Sequence, residues 1–455
     1  MKKLLIMSLI SLSFIFGGCN QSAKNQVEAQ AAKADPVEAS KSATIYEVNI
    51  RQYTPEGTIN AFIPHVSRLK ELGVDILWIM PVHPIGEKNR KGSMGSYYAV
   101  KDYKAINPEF GTKDDFRKLV QTAHDNGMLI ILDWVANHTA WDHPWIEKNP
   151  EWYTQDSTGK IIAPVDDWSD VADLNYDNAQ MRAAMIDALV FWVKELDIDG
   201  YRCDVAGMVP TDFWENARDE MEKVKPVFML AEAEEPDLHK KAFDANYAWE
   251  LHHIMNKISS GEQNASHLRK YFKKEPTRFA DSVYRMAFTT NHDENSWNGT
   301  VFERMPNSYK SFAVFTYAAP VFPLIYSGQE AGIDKRLRFF EKDTIEWKEH
   351  EMAQLYKKLN LLKAENPALW NGRYGGIINV LKTNHRSRIF AFDRQKDQNQ
   401  VLAVFNLSDT ATTVKFKGVK EGKLYTDAFT GQEISTDTPL SIEPWGYVVG
   451  LANDE

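Results

Sequence analysis

The chain has 455 residues, a 43% hydrophobic and 25% charged composition, and a formal net charge of −10. That composition is ordinary for a globular protein, and the length suits a barrel of about 250 residues plus a smaller domain. The acidic balance disfavours a phosphate-backbone partner, so no nucleic acid is expected, and two cysteines rule out a disulfide framework.

In chain order, the N-terminus reads first as a targeting segment. Lys2 and Lys3 precede an apolar run from Leu4 to Phe16, too short for a bilayer span of about 20 residues. Phe16-Gly17-Gly18-Cys19 resembles a bacterial lipoprotein cleavage box, with Phe16 where Leu is usual. The resemblance implies a signal peptide over 1–18, lipid on the Cys19 thiol, and anchoring to a membrane of the bacterial cell envelope. Residues 19–42, rich in Ala, Lys, Gln, Ser and Glu, read as a flexible tether.

Strand and helix patterns alternate from residue 43. A strand at Ile45–Ile50 precedes a helix at Ala61–Leu72, with Phe62, Val66 and Leu69 on one face and Gly73 as its stop. A strand follows at Val74–Pro81. The helix at Thr112–Asn126 opens on a Thr112/Asp115 capping box and stops at Gly127. After a strand at Met128–Val135 the rhythm breaks. Residues 139–178 are long for a plain connection and suggest a functional excursion. A helix at Ala179–Leu196 resumes the pattern. Strands are expected at Ile198–Asp204, Val227–Glu232, Ala242–Ala248, Met286–Thr290 and Phe322–Ser327. Eight strands in β-α-β spacing predict a closed parallel barrel. Beyond a helix near Lys348–Lys363, short strands with turns between them predict a separate antiparallel domain.

Charged residues sit at the ends of four apolar runs: Leu132–His138, Asp199–Asp204, Leu230–Glu232 and Phe288–Asp293. In a barrel, that end of each strand faces the catalytic cleft. Arg202 and Asp204 are two apart, so they share a strand face, and the guanidinium favours the ionised carboxylate. Burial of Glu232 beside another acid would raise its pKa, which suits a general acid. Asp293 beside His292 adds a third acid. Each motif alone is weak, since Arg-x-Asp is more often a structural ion pair. Their joint occurrence at strand ends points to the paired carboxylates of glycoside hydrolysis. Cys203 reads as a small buried apolar side chain.

Together these motifs resemble glycoside hydrolase family 13, the α-amylase family, from about Ile45 to the C-terminus. The matching stretches are Asp133-Trp134-Val135-Ala136-Asn137-His138, Asp173-Leu174-Asn175, Gly200-Tyr201-Arg202-Cys203-Asp204, Glu232, Asn291-His292-Asp293 and Gly328-Gln329-Glu330. The implied fold is a (β/α)8 TIM barrel over 43–138 and 179–365. A short domain B insertion occupies 139–178 after strand 3, and a C-terminal antiparallel β-sandwich domain occupies 366–455. Asp204 would be the nucleophile, Glu232 the acid/base, and Asp293 the residue that binds and distorts the sugar. Tyr98, His138, Arg202 and His292 would line the same subsite, and Asp133 would orient Arg202. Tyr97 stands where the family usually has Gly. Asn137 and Asp173 are the positions that ligate Ca²⁺ in many relatives; no organic cofactor is expected.

The resemblance implies a retaining, endo-acting hydrolase of α-1,4-glucosidic bonds in starch, glycogen or maltodextrins, working as a monomer on an α-glucan substrate. The alternatives are a cyclomaltodextrinase or neopullulanase-like maltodextrin hydrolase, and a non-catalytic glycan-binding lipoprotein. The presence of all three acids disfavours the last. One departure stands out: where many relatives carry Lys-His after the nucleophile, this chain has Gly207 and Met208. That predicts weaker contacts to leaving-group sugars.

Overall fold

The computed structural model describes residues 35–418 and 423–452. The signal peptide expected over 1–18 and the lipidation expected at Cys19 fall outside the described residues. Within them, the folded body begins earlier than composition suggests. The Asp35 side chain caps a one-turn helix, Pro36–Ala39. Asn371 donates from its side chain to the carbonyls of Ser40 and Ala43. Residues 35–42, expected to be tether, are therefore packed. Val37 and Ala43 join the apolar cluster inside the barrel, a contact too short to leave a period in the sequence.

Ten strands follow to the end of the barrel: β1 (Ile45–Val48), β2 (Ile76–Ile79), β3 (Leu129–Trp134), β4 (His138–Ala140), β5 (Val171–Asp173), β6 (Gly200–Cys203), β7 (Phe228–Ala231), β8 (Ala245–Tyr247), β9 (Tyr284–Ala287) and β10 (Phe322–Tyr326). Eight of them close a parallel barrel in the circular order β1-β10-β9-β8-β7-β6-β3-β2. Their continuous apolar runs hide an alternation of period two. Ile76, Trp78, Phe228 and Leu230 point into the barrel lumen. Leu77, Ile79 and Met229 join the larger core shared with the surrounding helices.

Helix boundaries follow local chemistry. Lys113–Asp125 opens on the expected capping box, with Thr112 and Asp115 reciprocally bonded. Ala179–Leu196 appears as expected, capped by Asn178. The helix expected at Ala61–Leu72 is instead split into Ile59–Phe62, a 3₁₀ turn Ile63–His65 and Val66–Leu72. Pro64 lies at the split, where it has no N–H to donate to a continuous ladder. The seventh barrel strand is shifted as well. It ends at Ala287, so Asn291-His292-Asp293 lies on the loop beyond it rather than on the strand.

The excursion after β3 is pinned by β4 pairing antiparallel with β5, which sets His138 opposite Asp173. The C-terminal region forms a six-stranded sheet containing Ile389–Lys396 and Asn399–Asn406. Phe392 and Phe405 on one face meet Phe315 of the helix Tyr309–Ala318. Val414 and Ile442, from a second strand pair, join the cluster on the other. The C-terminal domain is thus antiparallel and layered, with one face packed on the barrel. Among the described residues no helix is long and apolar enough to cross a membrane.

Candidate active site

The first residues past β6 and β7, Asp204 and Glu232, and the loops that follow β3 and β9 face one cavity of about 530 Å³. Asp204, Glu232, Asp293, Tyr98, His138 and His292 all line it. Arg202 is fully buried beneath. One of its terminal nitrogens lies 2.8 Å from Asp133 and 3.0 Å from Asp204; the other lies 2.8 Å from Glu232. Its Nε donates to the Tyr247 hydroxyl at 3.1 Å. Asp133 is sealed from solvent, and its second oxygen accepts from Trp78 Nε1 and the Tyr98 hydroxyl, both at 3.1 Å. It can hold Arg202 but has no route to a substrate.

The electrostatics follow from three cleft carboxyls and buried Asp133 around few cations. Burial pushes the Glu232 carboxyl up; Arg202 draws it down, Asp293 raises it, and the Val205 N–H at 2.9 Å lowers it. Burial pushes Asp204 up as well, against Arg202 and with Glu232 adding to the rise. Two carboxyls raised together pass through a state holding one proton between them. A retaining glycosidase uses that state: one carboxylate to attack, one acid to donate. Burial pushes His292 down, but Asp293 and Glu47 outweigh it and raise it to about 9. Its Nδ1 donates to Glu47 on β1, and Nε2 lies 2.7 Å from the Tyr98 hydroxyl. Burial lowers His138 to about 4, so it is neutral at pH 7.

Aromatic rings extend the site. Tyr98 stacks on His292 and on Phe339, and Phe339 packs against Trp297 at 5.1 Å. Trp297 is 51% exposed and rides on a π-helical turn, Glu294–Asn298, directly after Asp293. Such turns are common at functional sites. Trp168 of the excursion stands against His138 at 5.5 Å. Flat apolar faces edged by acids and a neutral imidazole suit an uncharged polyhydroxylated ring.

All sequence-derived cleft residues thus converge. Several neighbours went unread: Glu47, Trp297, Phe339, Trp168 and Val205. Glu47 carried a signal, an acid within the apolar run Ile45–Val48. Val205 carried none; it holds φ 37°, strained for a β-branched residue, and its N–H meets Glu232. A Cβ on Gly207 would lie 2.9 Å from a Glu235 oxygen, so the space that a longer side chain would enter is already claimed by Glu235.

Asn137 and Asp173 sit on adjoining strand ends of the excursion, where the Leu174 N–H donates to the Asn137 carbonyl. Their side-chain oxygens are of the type a hard cation takes. Burial pushes Asp173 up, against a hydrogen bond from Thr154. Among the described residues no cluster of three or more His, Cys, Asp or Glu could hold a metal. The pair would fill two of about six to eight oxygen positions, leaving the rest to carbonyls and water.

The α-amylase catalytic-domain model matches residues 21–160 and 151–408. The chain belongs to the α-amylase family. The C-terminal-domain model of maltogenic amylase also matches, over residues 378–449. An α-amylase of Haloarcula japonica is 25% identical over 411 residues, 86% of this chain and 59% of that protein. A cyclomaltodextrinase of Thermoanaerobacter pseudethanolicus is 26% identical over 395 residues, 81% of this chain and 66% of its own length. The chain thus spans less than two thirds of either curated relative. Among solved structures, a maltogenic α-amylase from Thermotoga neapolitana superposes with a TM-score of 0.85 at 28% identity, covering 92% of this chain and all of that one.

Proposed function

We propose that this α-amylase-family chain is a retaining hydrolase of α-1,4-glucosidic bonds in maltodextrins and related α-glucans. One observation supports it above the rest: Asp204 and Glu232, from adjacent strands, share one buried guanidinium in a sugar-sized cavity. In the first step Asp204 attacks the anomeric carbon while Glu232 gives its proton to the departing glycosidic oxygen. A glycosyl ester to Asp204 forms, and the shortened glucan leaves with a new hydroxyl. In the second, Glu232 takes a proton from water, whose oxygen bonds the anomeric carbon and frees Asp204. Asp293 binds sugar hydroxyls, cationic His292 lines the same cavity beside it, and Tyr98 supplies the ring face.

The maltogenic-type C-terminal match and the cyclomaltodextrinase relative favour short maltodextrins over the endo-attack on starch expected from the sequence. A product time course on amylose, pullulan and a cyclodextrin decides the matter. Rapid loss of iodine staining from amylose ahead of reducing-end release would restore the endo reading. Absence of any reducing-end release would sink the hydrolase. Calcium at Asn137 and Asp173, and a lipid anchor at Cys19, belong to the same proposal and are tested below.

A further inference from the structure

We propose that this chain forms a two-fold dimer by pairing the strand Ile377–Val380 with its own copy, against the monomer expected from the sequence. Among the described residues, that strand lies at one edge of the six-stranded C-terminal sheet and pairs with Ile389–Lys396 alone. An edge strand offers unpaired N–H and C=O groups to any chain that can lie beside it, and proteins commonly guard it with charge or proline. The opposite edge, Glu433–Ser435, carries an exposed acid, Glu433. Residues Gly375 to Leu381 carry no charge and no proline. Ile377 is 86% exposed, more than any other large apolar side chain described.

Hydrogen-bond parity sets how two copies can meet. The Leu381 N–H donates to the Ala391 carbonyl at 2.9 Å, so Leu381, Asn379 and Ile377 turn their backbone groups into the sheet. Those of Ile378 and Val380 point outward. Two antiparallel copies satisfy all of these groups when Ile378 faces Val380 of the second copy and Asn379 lies on the two-fold axis. In that register Ile377 faces Leu381 of the second copy, a residue of the domain's apolar cluster. The two share a sheet face by the period of two, so the pairing covers the exposed Ile377 side chain. Lys382, the flanking cation, falls opposite Gly376, so no like charges are brought together. Reversed, the strand is thus complementary to itself, as an isologous contact requires. The edge borders Val283 and Val321, which lead into β9 and β10. Asp204, Glu232 and Asp293 follow their strands at the other end of the barrel, so a dimer leaves the cleft open.

The test is sedimentation equilibrium of the purified full-length chain in density-matched detergent, beside Ile377→Asp and Asn379→Cys. Wild type should show twice the mass of a single chain, and Ile377→Asp the mass of one, with its circular-dichroism melting curve unchanged. On mild oxidation Asn379→Cys should form an intermolecular disulfide well beyond that of wild type or Ile377→Cys. A non-hydrogen-bonded antiparallel pair sets its two Cα atoms about 4.5 Å apart, within disulfide reach; residue 377 is far from its own copy in this register. A monomeric wild type, an Ile377→Asp chain that still dimerises, or species that grow without limit as concentration rises would overturn the proposal. So would a dimer whose Asn379→Cys chains do not cross-link. If Ile377→Asp fails to fold, the cross-linking of Asn379→Cys decides alone.

Discussion

At the scale of single residues, the cleft is governed by which groups sit beside Arg202 and His292. His292 offers a test of that balance. Its folded pKa is raised from 6.5 to about 9, so the folded state holds the proton more tightly than the unfolded chain. The stabilisation is complete below about pH 6.5 and is lost as pH rises through about 9, on the order of 3 kcal/mol from end to end. Urea midpoints of wild type should fall over that window, and those of His292→Asn should fall less. Parallel curves would contradict a cationic His292. The acids Asp204, Glu232 and Asp293 were legible because each ends an apolar run. Glu47, which supports His292 from β1, two strands along the barrel from β9, shows as an acid within an apolar run, but one acid in a strand carries no period that would assign it a role. Val205 was unreadable for a different reason: its backbone strain, which costs about 1–3 kcal/mol, is set by the turn after β6 and not by its side chain.

At the scale of elements, periodicity fixed existence better than edges. The Ala179–Leu196 helix was readable end to end because Asn178 caps it and its apolar face is unbroken. The seventh barrel strand was misplaced by two to three residues, since Phe288, Thr289 and Thr290, residue types common in strands, stay buried after the ladder has ended. In the residues themselves the excursion was legible as a break in rhythm, and the family resemblance marked it as a domain B insertion; its β4–β5 pairing comes from contacts between residues about 30 apart. If that pairing is held by calcium, through Asn137 and Asp173, chelation should lower the unfolding temperature of wild type. Asp173→Asn should abolish the effect. A melting temperature unchanged by chelator and by added calcium would remove the metal from the account.

At the scale of the whole molecule, the barrel is continuous with the antiparallel domain through Phe315, Phe392 and Phe405, and the eight-strand count made that architecture readable. The proposed envelope anchor rests on the sequence alone. Cys19→Ala should shift the protein from the membrane to the soluble fraction, or leave its signal segment uncleaved. Unchanged membrane fractionation with normal cleavage would defeat the lipid proposal. Stable attachment requires more than one acyl chain, so mass spectrometry of the mature N-terminus should show multiple acylation.

The central claim is that Asp204 and Glu232 divide one proton and carry out two successive displacements at the anomeric carbon. Proton NMR of the anomeric region during the first minutes of maltoheptaose hydrolysis tests it most directly, before mutarotation mixes the products. Double displacement predicts that the newly formed reducing ends appear first as the α-anomer; their appearance as the β-anomer would mean a single inverting displacement and would contradict the account.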